Sequence, residues 1–138
     1  MIRYVGSIEE VDWEEASSVF KEVNWGERDP EDISQSFHKS TYVLFAYDDD
    51  RLIGFGRTLD DGRYYSLIVD VVVRPAYQKR GIGTHIVQYL KDCCKGFIFV
   101  TLTSAPGKEE FYERLGWKRQ KTAFMWPKDR AQEEEHCL

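Results

Sequence analysis

The chain has 138 residues, 42% of them hydrophobic and 31% charged, with a formal net charge of −5. That size and balance fit one compact domain with an ordinary core and exclude a disordered chain. An acidic chain is poorly matched to a nucleic-acid phosphate backbone, and no apolar run approaches the ~20 residues that span a bilayer. Three cysteines, two of them adjacent (Cys93, Cys94), do not make a disulfide framework. Scattered His38, His85 and His136, without a Cys-x-x-Cys pair, argue against a metal site. The start, Met1-Ile2-Arg3-Tyr4, lacks a charged-then-apolar signal pattern. The expectation is a cytoplasmic protein with no nucleic acid, membrane or metal partner.

In chain order, Ile2 to Val5 reads as a short strand. Ser7 with Glu10 three residues on has the form of a capping box, and Trp13, Ala16, Phe20 and Val23 follow at helical spacing. Asn24-Trp25-Gly26 breaks that helix. Asp29, Pro30, Glu31 and Asp32 open a second one, with Ile33 and Phe37 one turn apart. Thr41 to Tyr47 and Leu52 to Thr58 are β-rich and flank the Asp48-Asp49-Asp50 turn; Asp60-Asp61-Gly62 signals a hairpin into a third strand, Tyr64 to Val73. Its end, Leu67 to Val73, is apolar except for Asp70, as expected of a strand covered on both faces. Arg74-Pro75 stops it. Gly81-Ile82-Gly83 opens a helix, Phe97 to Leu102 is a strand, and Gly107 to Leu115 is a helix stopped by Gly116. Trp117 to Trp126 reads as a final strand. The domain is thus expected over 1–127, with 128–138 as a flexible acidic tail. The order implies an α/β (α+β) domain with a mixed sheet.

The chemistry concentrates between Val71 and Thr84. A buried strand runs through Gln78-Lys79-Arg80-Gly81-Ile82-Gly83 into a helix. Free N–H groups at a helix start favour an anion, and glycine lets backbone approach a phosphate closely. An ordinary tight turn would look the same from the two glycines alone. A P-loop and a dinucleotide fingerprint are both excluded: the first needs a following Gly-Lys-Ser/Thr, and the second needs a glycine where Ile86 stands.

The run Val71-Val72-Val73-Arg74-Pro75-Ala76-Tyr77-Gln78-Lys79-Arg80-Gly81-Ile82-Gly83 resembles motif A of the GNAT acetyltransferase superfamily, and Phe111-Tyr112-Glu113-Arg114-Leu115-Gly116-Trp117 resembles its motif B. Asp70 to Pro75 and Met125-Trp126 look most like small members of the arylalkylamine (serotonin-type) group. The resemblance covers about Thr41 to Trp126. It implies a mixed, twisted sheet of six to seven strands, splayed in the middle and flanked by about four helices. It also implies acetyl-CoA as acyl donor and direct attack by an amine through a tetrahedral intermediate. By the same resemblance, the pyrophosphate lies on the loop of Gln78, Lys79, Arg80, Gly81, Ile82, Gly83 and Thr84. The pantetheine arm pairs with Val71, Val72 and Val73, the Val71 amide faces the acetyl oxygen, and Tyr112 protonates the leaving thiolate. Ala105 stands where many members carry an asparagine that bonds the pantetheine arm, which removes one such contact.

Two readings of Asp70 stand: a base, direct or through a held water, or an acid that pairs with Arg57 or Arg74. Trp25, Glu27, Phe37 and Tyr64 are the candidates for an aromatic, partly acidic acceptor pocket. The expected acceptor is a small-molecule primary amine. A protein or peptide amine, and a non-catalytic acyl-CoA sensor, are the alternatives. A homodimer is a further partner that the resemblance allows.

Overall fold

Strands form where β-branched and aromatic residues concentrate, and the turns between them are closed by acids. The computed structural model describes all 138 residues, which divide into two compact units, Met1–Leu102 and Thr103–Leu138. The first unit contains β1 (Ile2–Val5), α1 (Trp13–Glu22), α2 (Pro30–His38), β2 (Val43–Asp48), β3 (Arg51–Asp60), β4 (Tyr65–Val73), a single 3₁₀ turn at Pro75–Tyr77, α3 (Ile82–Cys93) and β5 (Phe99–Leu102). β1 to β4 pair antiparallel in chain order and β5 adds parallel to β4, so the sheet is mixed and five-stranded.

The second unit holds α4 (Glu109–Arg114) and α5 (Arg130–His136). Two expectations are corrected there. The six to seven strands reduce to five because Trp117 to Trp126 forms no strand. Its first half carries Lys118, Arg119 and Lys121 with no alternating apolar partner, so neither face of a strand would have a side to bury. The helices number five rather than about four, since the tail forms α5. Asp129 caps α5 by accepting from the Gln132 amide at 2.8 Å, and Arg130 pairs with Glu134 one turn on.

Helix starts follow local acid chemistry. Asp29 accepts from the Glu31 amide at 2.7 Å with Pro30 at the first helical position of α2, as the sequence predicts. The cap of α1 is Asp12 and not Ser7: its carboxylate accepts from the amides of Glu14 and Glu15, while Ser7 closes a separate turn onto Glu9. Asp61 accepts from the amides of Arg63, Tyr64 and Tyr65, which fixes the β3–β4 turn and holds its carboxyl below the usual range.

Two layers cover the sheet. On one face, Ala16, Val19 and Phe20 of α1 and Ile33 and Phe37 of α2 pack with Val43, Phe45, Tyr47, Leu52, Phe55 and Val72. On the other, α3 buries Ile82, Ile86, Val87 and Leu90. Gly56 permits the close approach of α3. A Cβ there would lie 2.8 Å from Ile86 Cγ2 and 3.2 Å from Val71 Cγ2.

The Tyr47 hydroxyl is buried without a partner, and burial pushes its phenol up to about 12. In the unfolded chain a tyrosine titrates near 10. Between those values the unfolded chain has lost a proton that the native state keeps, so stability falls as pH rises from 10 to 12. Tyr47→Phe is expected to change stability by no more than ~1 kcal/mol at pH 8 and to flatten that fall. Urea midpoints of both proteins at pH 8 and pH 11 check this; an undiminished fall in the variant contradicts it.

Candidate active site

The middle of β4 departs from regular pairing. Phe55 pairs with Val72 and Arg57 with Val69, so Gly56 alone faces both Asp70 and Val71. This is a β-bulge, and Asp70 is its extra residue, at φ 55°. A non-glycine residue in the left-handed region costs ~1–2 kcal/mol, so something must hold it there. Two arginines do. Arg57 Nε donates to Asp70 Oδ2 at 2.8 Å, and Arg28 Nη1 donates to Asp70 Oδ1 at 3.1 Å. Arg57 is itself fixed by Ser40 Oγ and the Ser36 carbonyl and lies over the Phe37 ring. Of the two partners read from sequence for Asp70, the structure therefore selects Arg57. Arg74 instead ties the end of β4 to α1 and β3, donating to Glu22 at 2.6 Å, to Ser18 Oγ at 3.0 Å and to the Leu52 carbonyl at 2.7 Å.

Beyond the bulge, β4 has no strand partner on its second side. Its parallel pairing with β5 ends at Ile68 opposite Leu102, and Val69 to Val73 run on alone. The Arg74 amide donates to Ile53 O at 2.8 Å, so alternation turns the amides of Val73 and Val71 away from β3, toward the unpaired edge. Val73 O accepts from the Gln78 side chain at 2.9 Å, which holds the following loop against the strand end.

That loop leads into α3. Lys79 and Gly81 both have positive φ, 65° and 83°, and Gly81 occupies the N-cap position without a side-chain cap. No protein acceptor takes the amides from Lys79 to Thr84. The space a Cβ would occupy at Gly81 is open. Arg80 adds a positive charge, its guanidinium 5.1 Å from the Tyr77 ring. Tyr77 is anchored by its hydroxyl, which donates to Asp48 at 2.5 Å, raising the phenol and lowering the carboxyl. Six amides without acceptors, a cation and an uncrowded approach are the donor set a diphosphate needs. A hollow of about 420 Å³ at the start of β4, lined by Leu59, Asp60, Tyr65, Leu67 and Phe99, has none of these features.

The four acceptor-pocket candidates are not brought together. Phe37 is 1% exposed and belongs to the core. Tyr64 precedes β4, seven residues and roughly 20 Å of strand from Val71. Glu27 is exposed and pairs with Lys21 at 3.4 Å. Trp25 alone lies near the bulge, stacked on Phe20 and 5.7 Å from the Arg28 guanidinium. Arg28 is the residue that sequence reasoning missed; its partner is 42 positions away, so no local pattern marks it.

In the second unit, Tyr112 lies on α4 between Phe111 and Trp117, with ring centroids at 5.0 and 6.4 Å. Gly116, at φ 97°, ends the helix and lets the Trp117 amide return to Tyr112 O at 3.0 Å. Burial pushes the Tyr112 phenol above its ordinary 10.0.

Comparison with known proteins gives the family of the chain. Residues 11–125 match the model of the acetyltransferase (GNAT) domain, and the chain belongs to that family. Among curated relatives, it is 32% identical over 111 residues to an "Uncharacterized N-acetyltransferase ycf52-like" of Prochlorococcus marinus, a match covering 75% of this chain and 61% of that protein. It is 31% identical over 108 residues to the "GCN5-related N-acetyltransferase 1, chloroplastic" of Arabidopsis thaliana, covering 75% of this chain and 55% of that one. These matches span between half and two thirds of those relatives. A solved GNAT-family acetyltransferase of Streptococcus pneumoniae superposes with a TM-score of 0.78 at 25% identity, over 94% of this chain and 99% of that one.

Gly81→Glu is expected to fill the open space before α3 with a carboxylate and to weaken coenzyme A binding by at least ~100-fold, as calorimetry would show. Gly81→Ala strains the backbone by ~1–2 kcal/mol and should weaken binding far less. Equal affinities for wild type and Gly81→Glu would remove the anion site. Phe37→Ala, a core truncation, should cost ~3–5 kcal/mol of stability in urea unfolding; an unchanged midpoint would return Phe37 to the pocket.

Proposed function

We propose that the protein transfers the acetyl group of acetyl-CoA to a primary amine of a small molecule, by direct attack and without an acyl-enzyme. The observation that carries this reading is the loop of acceptor-free amides from Lys79 to Thr84 at the end of an unpaired strand edge. The diphosphate of the donor would lie on those amides, with Lys79 and Arg80 adding charge. The pantetheine arm would take the ladder positions left free along Val71 to Val73. The Val71 amide then meets the thioester oxygen, where negative charge develops as the amine attacks. The resemblance of Phe111 to Trp117 to motif B supports Tyr112 as the group that would return a proton to the departing thiolate; a phenol raised by burial stays protonated at working pH and so has that proton to give. Both Asp70 oxygens already accept from arginine, so Asp70 would take the amine proton at one remove, through a water. The working part is residues 1–127, acting in a reducing compartment such as the cytoplasm, which three free cysteines favour. The arylalkylamine likeness adds an aromatic acceptor, for which Trp25 is the available ring.

Tyr112→Phe is expected to lower kcat by ~10²-fold or more while leaving acetyl-CoA affinity within about threefold. Because burial raises its phenol above the ordinary 10.0, kcat of the wild type should not decline until the pH passes that value. Release of free thiol from acetyl-CoA, followed with a panel of primary amines, tests the whole reading. Tight binding without thiol release from any amine would identify a sensor, and release only with peptides would move the acceptor to protein.

A further inference from the structure

Resting on that acetyl-transfer reading, we infer that Arg28 recognises an anionic group on the acceptor, so that the substrate is an amine that also carries a carboxylate or a phosphate. Charge comes first. Asp70 is one carboxylate between two guanidinium groups, so the cluster keeps one uncompensated positive charge. The nearby acids in the α1–α2 loop are engaged elsewhere, Glu27 with Lys21 and Asp29 with the first turn of α2.

The two arginines differ in which way their donors turn. The Arg57 side chain is 13% exposed, and three of its five donors go to Asp70, Ser40 and Ser36. Arg28 is 39% exposed and spends one N–H on Asp70. Its remaining four donors have no protein partner, and a guanidinium presents them as a flat fork suited to two acceptor oxygens.

Arg28 is also held in place before any ligand arrives. Its carbonyl accepts from Ser17 Oγ at 2.6 Å. Its guanidinium lies 4.1 Å above the Phe20 ring and 5.7 Å from Trp25, and those two rings stack on each other. Stacking fixes the plane and leaves its edge free. A residue serving only as counter-ion to Asp70 would duplicate what Arg57 already supplies at shorter distance and deeper burial. Place completes the case. Asp70 directly precedes Val71, whose amide turns to the unpaired edge, so the spare charge sits beside the position assigned to the reacting carbonyl.

The test uses two amine pairs that differ by one anion: tryptophan against tryptamine for carboxylate, and phosphoethanolamine against ethanolamine for phosphate. Thiol release from acetyl-CoA is measured with the full-length protein. In at least one pair the anionic member should have the higher kcat/KM, by about tenfold or more. Arg28→Gln should collapse that preference about tenfold, chiefly through KM of the anionic member, and Arg28→Lys should keep part of it. A brace for Asp70 would behave otherwise: Arg28→Gln would lower both members of a pair alike and leave their ratio unchanged, which overturns the inference. A wild-type preference for the neutral member in both pairs overturns it too. If coenzyme A binds but no amine of either kind releases thiol, the acetyl-transfer reading itself has failed, and this inference falls with it.

Discussion

The ion cluster of Asp70 with Arg28 and Arg57 holds the shape of β4, and the candidate site depends on that shape. A single non-glycine residue sits in the left-handed region in the middle of an otherwise extended strand. Left alone it would relax to regular pairing and recover ~1–2 kcal/mol. Two charge-assisted contacts, one at 2.8 Å to a nearly buried arginine, oppose that relaxation. Charge-assisted hydrogen bonds of this kind contribute ~1.5–3 kcal/mol, comparable to the backbone cost that they oppose. The bulge shifts the side-chain parity of the strand by one. Ile68 is buried before it and Val72 after it, on opposite faces of the sheet, while Val71 comes to lie against Gly56 under α3.

The consequences run along the strand. Pairing with β5 stops just before the bulge, at Ile68, and the edge from Val69 onward is left without a ladder. Buried Arg74 then pins the strand end to α1 and to β3, and Gln78 folds the next loop back onto Val73 O. The α3 N-terminus therefore points its free amides from a fixed place relative to the open edge. One set of local constraints supplies both a place for an anion and a place for an extended chain, which is what a coenzyme A thioester requires.

Much of this was legible in the sequence, and the reasons are local. The Asp29-Pro30 start of α2, the Asp61 turn and the glycine-opened α3 all follow from contacts within four residues. The motif-like loop of Gln78 to Thr84 was readable for the same reason. What failed depends on distant partners. The bulge at Asp70 is created by Arg57 and Arg28, 13 and 42 positions away, and nothing near Asp70 announces a left-handed residue. Phe37 looks the same at helical spacing whether it faces a core or a ligand, and here it meets Phe45 and Phe55. Trp117 to Trp126 has strand-forming residues only at its ends, and propensity alone does not make a strand without a pairing edge.

The account is tested most directly by amide hydrogen exchange, read residue by residue by NMR, with and without saturating coenzyme A. It predicts that the amides of Val71, Val73 and Lys79 to Thr84 exchange freely in the unliganded protein and become protected together when the thiol cofactor is added. Unchanged exchange at those positions, with protection appearing elsewhere on the chain, would contradict it.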